Sequence, residues 1–155
     1  MSHTVDIPQE LKDSIRKFRF TRHKGNAALV VKINKQKLIM EEVERLDDIS
    51  IDDLAQELPE ASPRYVVLSY ILVHKDGRTS SPLALINWAP ACETSLLTLH
   101  ASALIDFQNT VCPILATIYI LLTIIISQVE VSKVLEVRDG AEGLTKDILE
   151  AKLLS

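Results

Sequence analysis

Residues 64–88, RYVVLSYILVHKDGRTSSPLALINW, carry the strongest structural signal in the chain. Two runs rich in β-branched and aromatic residues, 64–73 and 83–88, flank Asp76-Gly77, a dipeptide suited to a tight antiparallel turn. A buried β-hairpin is predicted. Upstream, 26–33 (NAALVVKI) and 38–43 (LIMEEV) form a second pair of strand-like runs joined by Asn34-Lys35-Gln36-Lys37, with Leu29, Val31 and Ile33 alternating onto one face. Between the two pairs, Ser50 precedes IDDLAQEL and Pro59 follows it. A serine cap, early acidic residues and a proline stop predict a two-turn helix there. Hairpins interleaved with helices fit an α+β fold with a mixed sheet better than a doubly wound parallel sheet.

Towards the N-terminus, Pro8 to Ile15 reads as a short helix with Leu11 and Ile15 on one stripe. The chain then enters RKFRF (16–20), where Phe18 and Phe20 are expected to share one face and Arg19 to take the other. Towards the C-terminus, 94–109 reads as a longer helix with Leu96, Leu99, His100, Ala103 and Phe107 on its core stripe. A last strand is expected at 131–137 (VSKVLEV), and a closing helix carrying Leu144, Ile148 and Leu149 after the Gly140 to Gly143 loop. No repeat or linker divides the chain, so 1–155 is read as a single domain.

The 155 residues suffice for one core, and 47% hydrophobic with 25% charged residues is ordinary globular composition. A formal charge of -4 argues against a nucleic-acid partner, whose affinity would come from neutralising phosphates. Cys92 and Cys112 have no CxxC spacing and read as reduced thiols, and the first twenty residues hold no apolar run of signal-peptide type. A cytoplasmic protein is therefore expected. Catalysis finds no support: His3, His23, His74 and His100 lack metal-ligand spacing, and GxSxG, P-loop and GxGxxG motifs are absent. No cofactor or metal is expected.

Residues 111–128 (VCPILATIYILLTIIISQ) are uncharged and almost wholly apolar, long enough by hydropathy to span a bilayer. Two features weigh against a span. Lys and Arg are absent from Thr79 through Ser132, and spanning would part the last strand and helix from the sheet they complete. A translated retained intron is the sharper reading: Val111 needs a codon beginning GT, Gln128 is compatible with CAG, and the Ile, Leu, Thr and Tyr bias matches a T-rich tract. A genuine insertion and a membrane anchor stay open beside it.

The stretches IRKFRF (15–20), NAALVVKINKQKL (26–38), ISIDDLAQELPEASPRYVVLSY (49–70), DGRTSSPLALI (76–86) and VSKVLEVRDGAEGLTKDIL (131–149) resemble the glia maturation factor family. IRKFRF and ELPEASPRYVVLSY are closer to that family than to cofilin. The resemblance implies one actin-depolymerising-factor-homology domain, with a five- or six-stranded mixed sheet flanked by helices on both faces. It implies a monomeric, non-enzymatic protein of cytoplasm and cortical actin patches. Its partners would be the actin-related protein 2/3 complex and the actin filament at branch junctions, with branches removed and new ones inhibited. Cofilin-like filament severing and a membrane-anchored adaptor are the alternatives.

Three surfaces follow as candidates. The long helix carries no Lys or Arg, and Ser95, Leu97, Thr98, Ala101, Ser102 and Ile105 face away from its core stripe. Such a neutral, small and partly apolar strip contacts a partner by shape rather than by charge steering. Cofilin-like relatives have basic residues on this helix, so the departure disfavours severing. Arg16, Lys17, Arg19, Arg22 and Lys24 form a basic cluster suited to an acidic partner surface. By resemblance, Lys75, Asp76 and Arg78, with Glu136, Arg138 and Asp139, are assigned to a second, actin-side surface, and Ser2 to a phosphorylation switch that opposes docking.

Overall fold

The structure is a computed structural model, and it describes residues 5–111, 133–138 and 140–154. Its frame is a five-stranded sheet in the order β2-β1-β3-β6-β7. β1 (Ala27–Asn34), β2 (Ile39–Leu46), β3 (Arg64–Ser69) and β6 (Leu83–Trp88) pair antiparallel, and β7 (Lys133–Val137) joins β6 in parallel. β3 and β6 are near-continuous apolar runs because helices cover both faces. The 64–73 strand of the sequence reading breaks at Tyr70. Its end, β4 (Leu72–Val73), pairs with β5 (Thr79–Ser80) as a separate ribbon whose turn contains Gly77 at φ +87°.

One face is covered by α1 (Gln9–Phe20) and α3 (Thr94–Val111), which pack Leu11, Ile15, Phe18, Ala103 and Phe107 on Leu29, Val31, Tyr65 and Leu85. α2 (Ile51–Glu57) and α4 (Lys146–Leu154) cover the other, where Leu54, Leu144 and Leu149 meet Val30, Val66, Ile86 and Trp88. The odd and even positions of β1 therefore serve different cores, as strand alternation requires. Ser50 caps α2, its Oγ accepting the Asp53 N–H at 3.1 Å.

Three further expectations need correction. α1 does not end at Ile15 but continues through Phe20, because Leu11, Ile15 and Phe18 keep the i, i+4, i+7 stripe that the sheet buries. Phe18 and Phe20 consequently do not share a face: two helical steps turn about 200°, so Phe18 is buried and Phe20 is 71% exposed. In the closing helix, Leu144 precedes the first turn and Ile148 is exposed, leaving Leu149 as the fully buried residue of α4.

Candidate functional site

α3 presents the predicted neutral strip. Ser95, Thr98, Ala101, Ser102 and Ile105 are exposed, Ile105 by 67%, while Leu97 is half-buried. The Thr98 hydroxyl donates to Thr94 O and the Ser102 hydroxyl to Leu99 O, and none of the six strip residues carries a charge. The helix start is tied down from the β1–β2 turn. Lys35 Nζ lies 2.8 Å from Glu93 Oε1 and 2.9 Å from Ser95 Oγ, and the hydrogen bonds that Glu93 accepts from Lys35 and from the Ser95 hydroxyl hold its carboxyl below the usual carboxylate range. Sequence reasoning missed this tether, because a lysine in a turn carries no mark of a partner about sixty residues on.

Beneath the strip, three polar side chains are sealed between α3 and the sheet. Tyr65 and Asn87 are cross-strand neighbours on β3 and β6. His100 Nε2 lies 2.6 Å from Asn87 Oδ1, and the Tyr65 hydroxyl donates to the His100 carbonyl. The Tyr65 ring stacks on His100 at 3.9 Å and on Phe107 at 4.6 Å between centroids. Burial, with the Arg64 charge nearby, pushes the His100 pKa down to about 4, and burial with Asp106 pushes the Tyr65 phenol up. A neutral His100 with its proton on Nε2 satisfies Asn87, and Nδ1 has no hydrogen-bond partner among the described residues.

The basic cluster divides. Arg16, Lys17, Arg22 and Lys24 are exposed. Arg19 is half-buried: its Nη1 donates to the carbonyl of Val111 at 3.3 Å, and its guanidinium sits 4.8 Å over the Phe20 ring. Arg19 thus joins α1 to the helix that carries the strip.

The second surface is not one patch. At the ribbon turn, Arg78 Nε pairs with Asp76 Oδ2 at 2.7 Å, Asp76 also accepts the Arg78 N–H, and Lys75 is exposed beside them. Glu136 and Arg138 pair with each other at 2.5 Å. The ribbon emerges where Ser69 faces Leu83, whereas Glu136 faces Asn87, four residues further along β6. At roughly 3.3 Å per residue these groups stand at opposite ends of the sheet. α4 approaches the ribbon instead, with the Tyr70 hydroxyl donating to Glu150 Oε1 at 2.6 Å.

Ser2, Asp139, Cys112 and all of 111–128 except Val111 lie outside the described residues. Val111, the last described residue of α3, is buried in the core. Among the described residues no cluster of metal-binding type occurs, and no helix is long and apolar enough to cross a membrane.

Comparison with known proteins follows the same lines. The sequence model described as cofilin/tropomyosin-type actin-binding protein matches residues 4–120. The chain is 35% identical to human glia maturation factor beta over 149 residues, covering 96% of this chain and 92% of the relative. It is 34% identical to the Drosophila melanogaster glia maturation factor, covering 96% and 94%. The solution structure of glia maturation factor from Caenorhabditis elegans superposes with a TM-score of 0.72 at 28% identity, covering 98% of this chain and 99% of that one.

Proposed function

Since the chain belongs to the glia maturation factor family of cofilin-type actin-binding domains, we propose that it is a non-enzymatic regulator that binds the actin-related protein 2/3 complex and dismantles actin branches. The observation that carries this reading is the uncharged exposed strip on α3. An acidic filament surface offers such a strip no ion pairs, whereas a partner of matched shape can bury Ile105, Ala101 and the small hydroxyls without stranding a charge. The exposed Arg16, Lys17, Arg22 and Lys24, on α1 and the loop after it, would raise the encounter rate with an acidic partner.

Binding at the strip favours a state of the branching complex that holds the daughter filament poorly, and differential affinity for the two states shifts the population. The ribbon turn with Lys75, Asp76 and Arg78 supplies the filament-side contact. Glu136 and Arg138, at the other end of the sheet, belong to a separate region of the actin side. The protein acts as a monomer in the cytoplasm at cortical actin, and a phosphate on Ser2 would oppose docking.

Fluorescence microscopy of preformed branched filaments tests this. The purified chain is expected to release daughter filaments at their junctions while mother filaments stay whole. Cuts scattered along unbranched filaments would mark a severing protein instead, and unaltered branches would overturn the proposal.

A further inference from the structure

The layer of Tyr65, Asn87 and His100 is polar within an otherwise apolar face. His100 is 1% exposed and Asn87 5%, on the face otherwise filled by Leu29, Val31, Leu85, Ala103 and Phe107. Burying such groups is unfavourable unless they are paired, and here the pairs run between elements: β6 to α3 through Asn87 and His100, β3 to α3 through Tyr65 and the His100 carbonyl. That carbonyl lies in mid-helix and takes the Tyr65 hydroxyl in addition to its own helical N–H.

Apolar packing is non-directional and would tolerate small rotations of a helix about its axis. Hydrogen bonds are directional and would not. The difference matters for a surface that binds by shape. A rotation of about 10° moves a side chain lying about 6 Å from the helix axis by about 1 Å, and a gap of that size forfeits a quarter to a half of a dispersion contact.

Resting on the binding role given to the strip above, we infer that Tyr65, Asn87 and His100 form a register lock: they fix the rotation of α3 on the sheet and so set where Thr98, Ala101, Ser102 and Ile105 meet the partner. All three are positioning residues, since none lies on the strip. His100 precedes Ala101 and Ser102 directly, so the pinned carbonyl lies level with the middle of the strip, on the opposite, sheet-facing side of the helix.

The test compares the full chain with His100→Leu/Asn87→Leu, which removes both polar partners together and strands neither. Readouts are circular dichroism, N–H residual dipolar couplings of residues 98–105 against those of β3 and β6, and affinity for purified actin-related protein 2/3 complex. The double variant is expected to stay folded, to change the orientation of α3, and to bind at least tenfold more weakly. Tyr65→Phe, which removes only the hydroxyl, should shift both readouts the same way by less, and it decides the matter if the double variant does not fold. Unchanged orientation, or unchanged affinity despite a changed orientation, overturns the lock. Ala101→Asp/Ile105→Asp in the same assay separates the two readings. If that strip variant binds normally, the binding role of α3 fails, and the couplings judge the lock alone.

Discussion

His100 stands on a helix stripe shared with Leu99, Ala103 and Phe107, where a titrating group carries a consequence for stability. Its folded-state pKa of about 4 lies below the ordinary value of 6.5, because burial and Arg64 disfavour the imidazolium. On acidification the unfolded chain takes up the proton first. Stability from the neutral ring is complete above about pH 6.5 and is lost as pH falls towards 4, on the order of 3 kcal/mol. Thermal melts of the wild type should therefore drop more steeply between pH 6.5 and 4.5 than those of His100→Leu/Asn87→Leu. Parallel curves would show that His100 is not the group responsible. Periodicity alone puts His100 on the core stripe, since the apolar residues around it recur at helical spacing. Its partners Asn87 and Tyr65 are not legible that way, because strand pairing brings them beneath the helix.

At the scale of elements, α2 is the most completely written. Ser50 at the cap, Asp52 and Asp53 in the first turn and Pro59 beyond the end each act through local chemistry, and the structure carries the cap bond that the pattern predicts. Ser50→Ala should cost about 1 kcal/mol, read as a lowered denaturant midpoint at unchanged m-value; no shift would mean that solvent replaces the cap without loss. α1 is the opposite case. RKFRF alternates aromatic and basic residues, a pattern that fits an extended segment as well as a helix. What resolves it is the sheet, which buries Phe18 in line with Leu11 and Ile15 and leaves Phe20 outside under the Arg19 guanidinium. The Asp76-Gly77 turn is legible because Gly77 adopts the positive φ such turns require. The break at Tyr70 is not, because RYVVLSYILV has no breaker residue to mark it.

Across the whole molecule, the α3 strip and the ribbon turn are separate features, which allows their roles to be uncoupled. Ala101→Asp/Ile105→Asp places charge on a surface proposed to bind by shape and should abolish binding to the actin-related protein 2/3 complex. Lys75→Ala/Arg78→Ala should leave that affinity within about twofold while slowing branch loss on filaments. Both pairs are exposed, so stability should change by no more than about 0.5 kcal/mol, and calorimetry checks that the effects belong to binding. Equal loss of binding in both variants would mean the two regions act as one. The α+β class, the apolar runs of the sheet, the capped helix and the uncharged face of α3 are all carried by local pattern, because side-chain period and turn chemistry act between residues close in sequence. The parallel docking of β7 on β6, the Arg19 bond to Val111, the Lys35 tether to Glu93 and the parting of Glu136 from the ribbon turn arise only when the chain closes on itself. Those contacts join residues tens of positions apart, and which partners meet depends on strand order and register, which no local periodicity encodes.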